Sequence, residues 1–182
     1  MAENRMPDKK KLILFLDSGD TIIDESSEIR DGDGIVIRAN VIPEADEMVR
    51  TLHEQGYTLV LVADGLAQSF QNMYAELDLR GCFAAMIDSE SVQAEKPSPL
   101  MFLAAAEAIG LDRADFSRVA MVGNNLARDV KGANALGITS VFLNWTPRYP
   151  HEPADDNERP SYTIGEPLEL LALAERLNAG LS

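Results

Sequence analysis

Short apolar runs that stop abruptly at small or charged residues recur along this chain, with helix-spaced apolar stripes between them. The first, residues 12–16, is apolar throughout and ends at Asp17, with Ser18, Gly19, Asp20 and Thr21 directly behind it. Such a run predicts a strand buried on both faces, as in a parallel sheet. Residues 58–62 form a second strand ending at Ala63-Asp64-Gly65, and residues 119–122 another ending at Gly123-Asn124-Asn125. Runs at 84–87 and 139–143 complete the set, and 162–164 fits an edge strand.

Helices are expected between these strands. Pro43 opens one with Ala45, Met48, Val49 and Leu52 on a single face and Gly56 as its stop. A second spans 66–77. Ser98-Pro99 supplies the N-cap and first turn of a third, which reaches Ile109 and closes at Gly110. A fourth follows Asn125 and ends at Gly137, while Leu170, Leu173 and Leu177 stripe a last one, read as core. The exception is 23–43, where residues 27–30 and 35–38 flank Asp31-Gly32-Asp33-Gly34 and predict a hairpin. Residues 144–160 make a Pro-rich, charged loop, whose Trp145, Arg148 and Tyr149 read as packing on the fold, with a substrate or subunit surface as the alternative. His53 reads as a surface residue. Alternating strands and helices predict an α/β fold with a doubly wound, mostly parallel sheet.

Composition narrows the partners. A chain of 182 residues with 46% hydrophobic content has the size and apolar content of one domain. Its net charge of −14 argues against nucleic acid and anionic membrane surfaces, since phosphates attract Lys and Arg. A small phosphorylated ligand is less affected, because a bound metal inverts the local field. Cys82 is the only cysteine, which rules out an internal disulfide and fits the reducing cytoplasm. Residues 1–10 are polar, and the run after them is too short for a signal peptide or membrane span.

Ligands of open α/β sheets bind at the carboxyl ends of the strands. That places Asp17, Asp20, Asp64, Asn124 and, a few residues on, Asp129 where chemistry is done, with Glu95-Lys96-Pro97 as a further polar cluster. Each has a plainer reading alone: Asp17 as a turn or helix cap, Asp129 as a first-turn helix acid, Lys96 as a solvated loop lysine.

Taken in order and spacing, these clusters resemble the haloacid dehalogenase-like (HAD) superfamily, mostly metal-dependent phosphatases, over residues 12–177. The resemblance implies a Rossmann-like domain and a nucleophilic Asp17 that forms an aspartyl-phosphate. Lys96 matches the lysine that neutralises nucleophile and phosphoryl charge. Ser18, Asp20, Thr21, Ala63, Asp64 and Gly65 fall on positions lining the phosphate. Magnesium would take Asp17, the Gly19 carbonyl, Asn124 and Asp129, and be held weakly because Asn124 replaces an acidic ligand. Gly19 stands where the family's phosphatases carry an aspartate as general acid, a loss of roughly 10²–10⁴-fold in rate. Ala63 stands where they offer a hydroxyl.

Residues 23–42 leave room for a hairpin flap but not for the family's helical cap. The expectation is one HAD-like domain over 1–182, with an open site. It would serve a small phosphorylated molecule or a larger phosphorylated substrate, and a neighbouring copy in a homo-oligomer could cover it. Two functions follow: a phosphatase-type hydrolase impaired in general acid–base steps, or a catalytically silent domain that binds a metal, a phosphorylated ligand or a protein.

Overall fold

A computed structural model of the chain describes residues 11–181, so the polar leader 1–10 lies outside the described residues. Strands β1 (Ile13–Leu16), β4 (Thr58–Ala63), β5 (Ala85–Asp88), β6 (Val119–Gly123), β7 (Thr139–Leu143) and β8 (Tyr162–Ile164) form one sheet in the order β5-β4-β1-β6-β7-β8. Every adjacent pair in it is parallel. Strands β2 (Ile29–Arg30) and β3 (Val36–Arg38) form the separate antiparallel hairpin. After β1 the chain winds outward through β4 to β5, then crosses back to β6 and winds the other way. The direction of winding therefore reverses between β1 and β6, the kind of crevice in which doubly wound folds bind ligands.

Alternation along β1 explains the layering, because successive side chains point to opposite faces. Leu12, Leu14 and Leu16 pack with helices α1 (Ala45–Glu54), α2 (Ala67–Glu76) and α6 (Glu169–Ala179). Ile13 and Phe15 pack instead with Met101, Phe102, Ala105 and Ala106 of α4 (Pro99–Ala108) and Ala133 of α5 (Lys131–Ala135). Helix α1 buries Ala45, Met48, Val49 and Leu52, the predicted face. Ser98 caps α4, its hydroxyl accepting from the Leu100 N–H at 3.3 Å with Pro99 in the first turn.

Three expectations needed revision. The helix after Asn125 is a wide turn over Leu126–Val130 followed by the short α5, because Asp129 is drawn inward toward the sheet. A further short helix, α3 (Ser89–Val92), follows β5 under an Asp88 cap, which has no apolar periodicity to announce it. The hairpin is shorter than its signal, because Glu25–Ser27 form a 3₁₀ turn capped by Asp24. Among the described residues no helix is long and apolar enough to cross a membrane.

The hairpin, here called the flap, is tied down at Val36. Its N–H donates to Ser69 Oγ at 2.9 Å, and its carbonyl accepts from Asn72 Nδ2 at 3.0 Å, so α2 supplies the partners a strand would. Ser69→Ala strands a buried donor, which costs about 1–3 kcal/mol. The expected result is a lower urea midpoint and faster amide exchange at Val36, with little change in β1.

Candidate active site

The central strand delivers Asp17. Its N–H donates to the Val122 carbonyl at 2.9 Å, continuing the β1–β6 ladder one residue past Leu16 and fixing the side chain at the crevice. Lys96 arrives from the loop before α4. Its backbone N–H donates to Asp64 Oδ1 at 2.9 Å, which locks the loop to the end of β4. Its side chain then runs inward and is 1% exposed, which excludes the solvated-loop reading. The ammonium has three protons and three acceptors: Asp17 Oδ1 at 2.7 Å, Asp129 Oδ1 at 2.7 Å and the Val62 carbonyl at 2.9 Å.

Asp129 is placed by the turn after β6. Asn125 caps that turn, its Oδ1 accepting from Ala127 and Arg128 at 3.1 and 3.2 Å. Asp129 Oδ2 in turn accepts from the Asn125 N–H at 3.0 Å. This fold-over needs glycine at 123: a Cβ there would sit 2.2 Å from Asp129 Oδ2. Burial pushes the Asp129 carboxyl up, Asp17 adds to the rise, and Lys96 opposes both. Burial presses the Lys96 ammonium down, but Asp129, then Asp17 and Asp64, outweigh it and hold it above its ordinary value.

One cavity gathers Asp17, Ser18, Gly19, Asp64, Gly65, Lys96, Asn124 and Asp129 on its wall. The other candidates lie behind that wall. Ala63 is buried at the end of β4. Asp20 is fully buried, its Oδ2 paired with Arg148 Nε and its Oδ1 accepting from the Glu25 N–H at 3.1 Å. Thr21 is fully buried with its hydroxyl unpartnered among the described residues. On the wall, Ser18 Oγ shares a hydrogen bond with Tyr74 at 2.9 Å, and the Gly65 N–H donates to Ser89 Oγ at 2.9 Å. Asp64 is not a bare charge, since Oδ2 meets Arg128 at 3.5 Å. Burial nonetheless raises its pKa, against Lys96.

The same wall carries Glu25, Glu28, Arg30 and Arg128, which the sequence did not single out, and Tyr149. Glu25 and Glu28 lie in the stretch read only as flap. Arg148 and Tyr149 belong to the loop read first as packing on the fold and, as the alternative, as a substrate or subunit surface. Trp145 does pack against the core, but Arg148 reaches back to Asp20 and Glu25, and Tyr149 donates to Glu25 Oε2 at 3.4 Å. A buried aspartate needs a cation, and no residue near it in sequence supplies one. Burial raises the Glu25 pKa, with Asp20 and Asp17 adding to the rise.

Among the described residues no three His, Cys, Asp or Glu side chains form a metal-binding group. Asp17, Asp129, the Gly19 carbonyl and the Asn124 amide are an oxygen set with two carboxylates, which suits magnesium in kind. Asn124 Nδ2 is buried and unpartnered among the described residues, and exchanging the two ends of the amide would put an oxygen there.

Residues 5–137 match the haloacid dehalogenase-like hydrolases. The chain belongs to that family. It is 30% identical over 135 residues to glyceraldehyde 3-phosphate phosphatase of Methanopyrus kandleri, covering 74% of this chain and 57% of that protein. To haloacetate dehalogenase H-2 of a Moraxella species it is 27% identical over 128 residues, covering 70% and 54%. The chain thus spans little more than half the length of these curated relatives. A HAD phosphatase structure from Thermococcus onnurineus superposes with a TM-score of 0.71 at 19% identity, covering 89% of this chain and 97% of that one, a likeness of fold.

Lys96→Met leaves the Asp17 and Asp129 carboxylates without their shared cation. Breaking a buried pair in this way costs about 3–5 kcal/mol. The expected outcome in urea titration is a large loss of stability, partly recovered by adding Asp129→Asn, which removes the uncompensated charge.

Proposed function

We propose that this HAD-like hydrolase acts as a phosphatase on small phosphorylated molecules, with Asp17 as the nucleophile. The observation that carries the reading is the Lys96 ammonium held between Asp17 and Asp129 at the crevice where the winding reverses. Lys96 pairs with the Asp17 carboxyl that would act as nucleophile, and offers positive charge where a phosphoryl group gains negative charge. Magnesium, when bound through Asp17, Asn124, Asp129 and the Gly19 carbonyl, would supply further charge neutralisation for the phosphoryl oxygens. The flap over 23–42 fits a capless member acting as one domain, with larger phosphorylated substrates or a second copy at the open side, and the cytoplasm suits its single cysteine.

Gly19 and Ala63 make the site atypical, and the reaction slow unless another side chain takes the role, since neither supplies the polar side chain the family's phosphatases use there. They also favour the second reading, a silent domain that binds a metal, a phosphorylated ligand or a protein. A panel of phosphate monoesters and acyl phosphates, with and without magnesium and with haloacetate as the dehalogenase control, separates the readings. The expected result is phosphate release from activated esters and an intact-mass adduct of one phosphoryl group, both lost in Asp17→Asn. Neither signal on any substrate would leave the silent reading standing.

Asn124→Asp adds a carboxylate where a hard dication would sit. Calorimetry should show tighter magnesium binding than in the parent chain. Equal affinities would mean that residue 124 does not face the ion.

A further inference from the structure

The space beside Gly19 is filled. A Cβ built on Gly19 falls 2.1 Å from Glu25 Oε1, with the next two atoms of that side chain at 2.8 and 2.9 Å. The carboxyl of Glu25 thus occupies the volume that a side chain at position 19 would take. It does so from a different element, the 3₁₀ turn over Glu25–Ser27.

Several contacts hold it there. Asp24 Oδ1 caps the turn by accepting from the Ser26 N–H at 2.9 Å, and Asp20 Oδ1 accepts from the Glu25 N–H at 3.1 Å. Tyr149 donates to Oε2 at 3.4 Å, and Arg148 Nε lies 3.6 Å from the same oxygen. With Oε2 engaged, Oε1 is the oxygen turned toward Gly19, on the cavity wall that also carries Asp17. The other carboxylates of the wall are committed elsewhere. Glu28 is paired with Arg30, Asp64 takes the Lys96 N–H, and Asp129 takes both Lys96 and the Asn125 N–H.

We propose that Glu25 is the proton carrier of the Asp17 reaction, supplied from the flap turn in place of a side chain at position 19. The proposal rests on the phosphatase reading above. In the first step an Asp17 oxygen bonds to phosphorus and the bond from phosphorus to the leaving oxygen breaks. Its electron pair goes to that oxygen, which takes the proton of Glu25 and departs as an alcohol. In the second step water attacks the phosphorus of the aspartyl-phosphate and gives its proton to the Glu25 carboxylate. The bond from phosphorus to Asp17 breaks, the Asp17 carboxylate is restored, and inorganic phosphate leaves. Tyr149 and Arg148 are positioning residues that keep Oε1 aimed.

The test compares the parent chain with Glu25→Gln, Glu25→Ala, Asp17→Asn and the double variant Gly19→Asp/Glu25→Ala. The substrates are 4-nitrophenyl phosphate, whose leaving group departs without a proton, and glycerol phosphate, whose leaving group needs one. Rapid mixing and intact mass follow the burst, and thermal melting confirms folding. Glu25→Gln should keep the nitrophenolate burst and the phosphoryl adduct but lose about 10²–10⁴-fold in steady turnover and in glycerol phosphate cleavage. The double variant should regain most of that loss, because removing the Glu25 side chain empties the space for an aspartate at 19. A burst with unchanged turnover in both Glu25 variants overturns the proposal and leaves the Asp17 reading intact. A parent chain without activity beside an active double variant shows Glu25 to be a plug, which also overturns it. No burst and no adduct in any variant overturns both.

Discussion

A single buried ammonium sets the terms for this site. A charge taken out of water is costly unless paired and fully hydrogen-bonded, and Lys96 meets that demand with two carboxylates and one strand carbonyl. Its three acceptors come from the ends of β1 and β4 and from the turn after β6. Satisfying one side chain therefore fixes three parts of the chain relative to one another. It also bridges two carboxylates held close together, and so opposes the mutual repulsion that raises the Asp129 carboxyl.

The fold was legible because the sheet is buried on both faces, so each strand shows as an apolar run with a sharp end. Asp17 was legible for a related reason: a polar residue directly after such a run has few places to go but the crevice. Lys96 and Asp129 follow no such run directly, and only their order and spacing relative to the strand ends marked them. What the pattern could not place obeys no periodicity. Glu25 and the Arg148–Tyr149 pair sit in loops far apart in sequence, and their meeting depends on how two irregular segments drape over the same strand ends. Asp20 offered one clue, since a carboxylate so close behind a buried strand must find a partner somewhere. The sequence could not say that the partner would come from the Pro-rich loop.

Irregular structure around the site is a consequence of the chemistry it holds. The wide turn over Leu126–Val130 replaces a regular first helical turn, and it lets Asp129 reach both Lys96 and the Asn125 N–H. Gly123 is required for the same reason, since its bare Cα admits the returning carboxylate. Local propensity yields here to the need to satisfy a buried polar group, the usual way in which functional sites depart from ideal patterns.

Helix α2 links two parts of the molecule that look independent. Ser69 and Asn72 grip the flap at Val36, next to its turn, and Tyr74, on the next stretch of the same helix, hydrogen-bonds Ser18 beside Asp17. One rigid rod thus carries both the rim of the crevice and a prop for its floor. A flap mounted in this way works as a fixed wall rather than a lid. Traffic into the crevice must then pass beside it, and the shape of the opening is set when the helix docks, not when a ligand arrives.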